Sequence, residues 1–231
     1  MGRKTPDCAE FEIRALESEK TWDVDGIPIL RGRVSLPQPS NPDRLWRRIG
    51  SFYRLQSRSF FKFCQRELRP WAETEYKAAR IRSAPLPCFD ASLEFHETYR
   101  AGRLWSVRTE LRENAAPGPP TLLQWGDTWD LISGYPVALS DFFAPRSRWK
   151  RQLLTCAAAE IERRQKRGLS CYHADWRRRL RKYFNPRSYF LTPDGIAFFY
   201  PMYALGPAAE GVPTFLCPWD DAPPSQPLRI A

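Results

Sequence analysis

Two periodicities alternate along this chain, and most of its architecture can be read from where one gives way to the other. Near the N-terminus, EFEIRALESE alternates apolar and polar side chains, the period of a half-buried strand. DVDG at Asp23–Gly26 supplies a turn in which Gly26 is free to take positive φ, and IPILRGRVSLP reads as the returning strand of an antiparallel pair. Pro37, Pro39 and Pro42 donate no ladder hydrogen bond, so they are expected to end that strand. A period near 3.6 follows. Asn41 is the expected N-cap and Pro42 the first helical residue. Leu45, Ile49, Phe52, Phe60, Phe63 and Cys64 form one face, with Arg44, Arg47, Arg48, Arg54 and Arg58 between them. This is an amphipathic helix packed on a sheet.

From Ala91 the period returns to two. Leu93, Phe95, Glu97 and Tyr99 share one face, Glu94 and His96 the other; RAGR makes a turn, and Trp105, Val107, Thr109 and Leu111 form the returning face of a long hairpin with one wet side. NAAPGPPTLLQ, Asn114–Gln124, reads as a Pro/Gly-rich loop. WGDTWDLISGYPVALSDFF then predicts a strand, a turn at Ser133 and Gly134, and a short strand closing on Phe142 and Phe143. Ser147–Arg167 predicts a second helix with Trp149, Leu153, Cys156, Ala157 and Ile161 on one face, a basic last turn, and a stop at Gly168. A third, shorter helix starts near Asp175, with Trp176, Leu180 and Phe184 four apart. In the closing stretch, Phe190–Thr192, a PDG turn and Ile196–Tyr200 form a hairpin, with Phe198 and Tyr200 on one face and Ala197 and Phe199 on the other. PMYALGPAAEG is then a crossover with one helical turn, leading to a last strand, VPTFLC. The fold class is α+β: antiparallel hairpins forming a sheet, with amphipathic helices packed on it.

Composition changes this picture in one respect. At 231 residues with 42% hydrophobic and 14% aromatic content, the chain can furnish a core and is not a disordered polymer. Its formal charge of +10 points to acidic partners: nucleic acid, teichoic acid or an anionic surface. The densest basic cluster, Arg177, Arg178, Arg179, Arg181 and Lys182, is the candidate anion-binding site. It reads equally as the solvated face of a short helix.

No apolar run long enough to be a signal peptide core or a membrane span is present, and Pro6 breaks the myristoylation pattern that Gly2 begins. The chain as given is therefore expected to be cytoplasmic and not inserted in a membrane. Six cysteines, Cys8, Cys64, Cys88, Cys156, Cys171 and Cys217, are spread along it and are expected to be free thiols. Cys64 and Cys156 lie on apolar helix faces as small hydrophobes. Cys171 and His173 make a poor zinc pair, and neither a metal nor a cofactor is expected.

Motifs for catalysis are lacking: no GxSxG elbow, HExxH or phosphate-binding glycine loop. Glu94 and His96, two apart on a strand, have the residue types of an acid/base pair, but read as solvent-side residues. Asp127, Asp130, Asp194 and Asp220 could serve as a hydrolytic carboxylate pair only if the fold brought two of them together, and Asp194 already precedes Gly195 in a turn. The chain is expected not to be an enzyme.

The segment TWDLISGYPVALSDFF, followed after a helical stretch by SYFLTPDGIAFFYPMYALGPAAEGVPTFLCPWDD, resembles the C-terminal domain of RsiV-like proteins, a domain of unknown function found in anti-sigma-V factors and beside cell-wall deacetylases. Trp129, Asp130, Leu131, Gly134, Leu139, Asp141 and Phe143 carry the first part of the likeness. Phe190, Leu191, Thr192, Asp194, Gly195, Phe198, Tyr200, Tyr203, Pro207, Ala208, Gly211 and Val212 carry the second. DGIPILRGRVSLPQPSNPDRLWRRI is similar, more loosely, to the companion N-terminal subdomain. The resemblance implies residues 9–85 as that subdomain, 86–221 as the RsiV-like domain and 222–231 as a tail. It also implies an extracellular, non-catalytic role in recognising lysozyme or accompanying wall enzymes. The Gly-Gly-Ala-His element usual in the family is absent, and lysozyme, itself basic, is opposed by the charge of this chain.

The expected function is a non-enzymatic binding or sensing module for a protein or an envelope polymer, using aromatics around Trp125, Trp129, Tyr200 and Tyr203. The alternative is a cytoplasmic nucleic-acid or polyanion-binding protein using the arginine-rich helices.

Overall fold

A computed structural model describes residues 12–40, 44–115, 120–220, 224 and 226–227. The expected N-cap Asn41, with Pro42, Cys8, residues 116–119 of the Pro-rich loop and most of the tail, lies outside the described residues. Nine strands in two sheets and several helices make up the described chain, an α+β fold. Two compact units share it: one comprises residues 11–95 and 109–122, the other 1–10, 96–108 and 123–231. The two units interleave along the chain.

In the first unit, β1 (Ile13–Val24) and β2 (Ile27–Pro39) form the expected antiparallel pair. Asp25 and Gly26 both have positive φ, the geometry of a tight hairpin turn. The prolines do not end β2: Pro37 and Pro39 stay in register opposite Ala15 and Ile13. Past Ser35 no pairing to the next strand is required, so a missing N–H there costs little. A bulge opposite Trp22 and Asp23 makes Ile29 and Leu30 both buried.

Helix α1 (Arg44–Phe63), a π turn at Cys64–Leu68 and α2 (Arg69–Ile81) run on without a break and pack on β2. The buried residues include Phe60, Cys64, Leu68, Ala72 and Tyr76, each four after the last. A regular α-helix would carry such a series about 40° around the axis at every step. The wider π turn, closing i→i+5, absorbs part of that drift. Trp22 Nε1 donates to Gln65 Oε1 at 2.6 Å from within this turn.

The helices return the chain so that β3 (Phe89–Ala101) runs parallel to β2, from Leu30 opposite Phe89 to Ser35 opposite Glu94. A long crossover permits what a hairpin cannot, so the sheet is not wholly antiparallel. β4 (Leu104–Asn114) follows a turn at Gly102 and Arg103. It is not wet on one side: Leu104, Trp105, Ser106, Val107, Thr109, Glu110 and Leu111 are all buried. β5 (Thr121–Asp130) takes up Thr121–Gln124, which were expected in the loop, and β6 is only Tyr135–Pro136. β1 to β6 are hydrogen-bonded in sequence order.

The second unit also contains α3 (Trp149–Lys166), α4 (Trp176–Lys182) and a separate three-stranded antiparallel sheet of β7 (Tyr189–Thr192), β8 (Gly195–Phe199) and β9 (Thr214–Pro218). Instead of a strand ending at Phe142, residues Leu139–Phe142 form a 3-10 turn. Asp141 explains it: its carboxylate accepts from Ala138 N at 3.2 Å and from Ser140 Oγ, closing a local turn that competes with a ladder. Leu153, Ala157 and Ile161 of α3 are fully buried, and Gly168, at φ +66°, ends its last turn. Every residue of β8 is buried. Phe198 and Tyr200 join the main core with Leu205 and Phe215, while Ala197 and Phe199 pack with Phe190, the two faces the period predicts.

Candidate functional site

The four expected aromatics separate into two kinds. Trp125 and Tyr203 are exposed. Trp129 and Tyr200 are core: Tyr200 packs edge-on against Phe215 at 5.8 Å, and its hydroxyl donates to Leu180 O at 3.1 Å. Trp129 is 3% exposed and Tyr200 0%, so neither presents a face to a partner in this structure. The expected basic cluster is largely engaged. Arg177 pairs with Glu162 at 2.7 Å and lies over the Trp176 ring, while Arg178 and Arg179 both pair with Asp175. Arg181 and Lys182 are exposed and carry no ion pair among the described residues.

The carboxylates are used in different ways. Asp130 receives a bidentate bond from Arg103, with Ile132 N and Ser133 Oγ completing its shell. The Arg103 bonds, Ile132 N and Ser133 together hold it below the usual carboxylate range although burial opposes this. Such a group is a structural anchor. Asp194 and Asp220 are exposed, Asp194 in the β7–β8 turn, and Glu94 and His96 are exposed as well. Among the described residues, no three of His, Cys, Asp and Glu come together as metal ligands, and no helix is long and apolar enough to cross a membrane.

Asp127 has a different setting. With Gly126 and Thr128 it lines a cleft of about 540 Å³, within the range of small-ligand sites. The 3-10 turn contributes Leu139 and Ser140, the start of α3 contributes Trp149 and Lys150, and Pro186, Arg187 and Tyr189 complete the wall. Local structure fixes each part. Gly126 is required by close approach: a Cβ there would overlap the carbonyl oxygen of Tyr189. Tyr189 is nearly fully enclosed, and its hydroxyl donates to Val137 O at 2.6 Å. Burial pushes that hydroxyl far above its ordinary pKa, so it stays neutral. Beneath it, Ser106 Oγ and Thr128 Oγ1 lie 2.9 Å apart, and Leu191 N donates to Ser106. Trp149 stacks on Phe143 at 5.6 Å, with Lys150 Nζ 5.4 Å from its ring.

The result is a polar floor that includes Asp127, an aromatic wall, and two exposed cations, Lys150 and Arg187. No cysteine or histidine lines it. Cations on a fixed wall can hold carboxylate or phosphate oxygens. Sequence reasoning placed Trp149 only on an apolar helix face and did not single out Lys150 or Arg187, because the start of α3, Arg187 and the Gly126–Thr128 strand segment are distant from one another in the chain; the one available signal was a glycine between two tryptophans in WGDTW.

Fold and cleft together define an α+β protein with a ligand-sized groove in the unit that holds the small sheet. Residues 140–220 match the family model described as a protein of unknown function, DUF3298, and form a DUF3298 domain. This segment contributes Ser140, Trp149, Lys150, Pro186, Arg187 and Tyr189 to the cleft. The chain is similar in fold to a DUF3298 family member from Bacteroides fragilis, with a TM-score of 0.65, 16% identity and 90% of each chain covered. It is also similar to a DUF3298 protein from Pseudomonas aeruginosa, with a TM-score of 0.54, 12% identity and 90% of each chain covered. Nothing among curated proteins matches the chain.

Proposed function

We propose that this chain is a non-catalytic binding module whose cleft takes an acidic group carried by an envelope polymer or by a protein. One observation carries the reading: Lys150 and Arg187 project at a cleft of ligand size whose floor is fixed by backbone and buried hydroxyls. The formal charge of +10 agrees with an acidic ligand, and the motif likeness to RsiV-like domains agrees with an extracellular, envelope-facing role. Exposed Trp125 and Tyr203 are further contact residues on this reading.

The test is equilibrium binding of a poly(glycerol phosphate) oligomer and a polyglutamate peptide at physiological salt. Saturable binding of at least one is expected, weakened tenfold or more in Lys150→Ala/Arg187→Ala, since each charge-assisted bond contributes about 1.5–3 kcal/mol. Absence of saturable binding, or an unaffected double variant, would sink the proposal. A second reading, nucleic-acid or polyanion binding by the basic helix, rests on Arg181 and Lys182, exposed and without an ion pair among the described residues; there Arg181→Ala/Lys182→Ala would instead carry the loss, and with it the salt dependence.

A further inference from the structure

Cys156 on α3 and Cys217 on β9 are 61 residues apart in sequence, and their sulfur atoms are 3.0 Å apart. That is inside the roughly 3.5–4.0 Å at which non-bonded carbon atoms pack best, and sulfur is larger. Other bonds hold the same helix against the same strand. Arg164 donates to Thr214 O at 3.2 Å and lies over the Phe215 ring at 5.4 Å. The approach of the two thiols is therefore set by packing that does not depend on them, and a bond of about 2.05 Å requires only a small further shift.

The thiols differ in access. Cys217 is 5% exposed. Cys156 is partly exposed, at the edge of a shallow depression of about 390 Å³ lined also by Arg148, Arg151, Gln152 and Thr155. Two arginines and no carboxylate border that approach, which favours an anionic reagent.

We infer that Cys156 and Cys217 form a reversible disulfide, with a small carboxylate-bearing disulfide as the oxidant. The Cys156 thiolate attacks one sulfur of the oxidant, RSSR; the S–S bond breaks, a mixed disulfide forms on Cys156, and the first RS⁻ leaves and takes a proton. The Cys217 thiol then loses its proton, attacks Cys156 Sγ and expels the second RS⁻, which is protonated in turn. Two thiols lose two electrons and two protons, and RSSR becomes two RSH. Burial pushes the Cys217 thiol up to about 12, so it does not attack a reagent from solution; in the second step its 3.0 Å contact with Cys156 replaces encounter and offsets the scarcity of thiolate. The bond would tie α3 to β9 across α4, β7 and β8.

Oxidised glutathione against dithiothreitol tests this in a Cys88→Ser/Cys171→Ser background, which removes the two described exposed thiols. Peptide mapping of the oxidised protein is expected to give a crosslinked pair containing residues 156 and 217. The thermal midpoint is expected to rise on the order of 10 °C and to return on reduction. Adding Cys156→Ser should abolish both changes. A glutathione adduct that persists on Cys156, a bridge mapping elsewhere, or no crosslink at all would overturn the inference; because mapping uses intact Cys156 and Cys217, the result does not depend on how the variant folds.

Discussion

The two compact units are stabilised by different means. In the unit of residues 11–95 and 109–122, a long hairpin and a long helix meet through side chains: β1 has twelve residues and buries only Trp22, and the helix supplies a stripe of separate buried residues. In the other unit the five residues of β8 are all buried, backbone meets backbone at glycine, and a carboxylate is taken into the interior with its arginine. Length and periodicity are therefore poor guides to commitment. The unit with the stronger period has the more forgiving surface, whereas the one built from five-residue strands depends on contacts that cannot move.

The contrast is broken most directly at a matched pair of glycines. Gly126→Ala places a methyl group on a carbonyl oxygen and is expected to cost about 3 kcal/mol or more in urea unfolding. Gly32→Ala meets only the Trp22 ring at 3.1 Å and Cys64 Sγ at 3.4 Å, side chains that can give, and should stay within about 1 kcal/mol. Equal costs would remove the distinction. Matched charges give the next effect. Asp130→Ala, which removes a bidentate pair whose side chains are 18% and 9% exposed together with the bonds to Ile132 N and Ser133 Oγ, is expected to cost about 3 kcal/mol. Asp90→Ala, which loses an exposed pair with Arg33, should cost at most about 1 kcal/mol.

The smallest effect is in acid. Arg163 and Arg164 draw the Glu160 carboxyl from 4.5 down to about 2. A depressed folded-state pKa contributes stability above the unfolded value, lost as pH falls from about 4.5 toward 2. Glu160→Gln should flatten that part of the stability profile and lower neutral stability by the same modest amount that acid removes from the unaltered chain. In the other unit Glu113 is pushed the opposite way by burial, so acid should not weaken the two units alike.

Much of this fold was legible because a local period sufficed. The Asp25–Gly26 turn, the two faces of β8, and the buried face of α3 follow from residues within one turn or two strands of each other. What could not be read depended on distant parts meeting. β4 looks half wet until both of its faces are covered, and Trp129 and Tyr200 look like anchors until their strands acquire neighbours. Asp130 looks available until Arg103 reaches it. For the cleft, only β5 carried a hint: glycine between two tryptophans marks a place where another chain segment comes close, without saying that Tyr189 is that segment.

The π turn at Cys64–Leu68 also acts on the residues beyond it. A helix that widens for a single turn changes phase, and everything beyond it is aimed by that change. Closing that turn as regular α at the same chain length would rotate Ala72, Tyr76 and Ala79 together, leaving each with an unchanged helical neighbourhood but pointing it away from the layer it covers. Position along this helix therefore acts like an angle setting, and the chain length between Phe60 and Tyr76 is as specific a property as the side chains it carries.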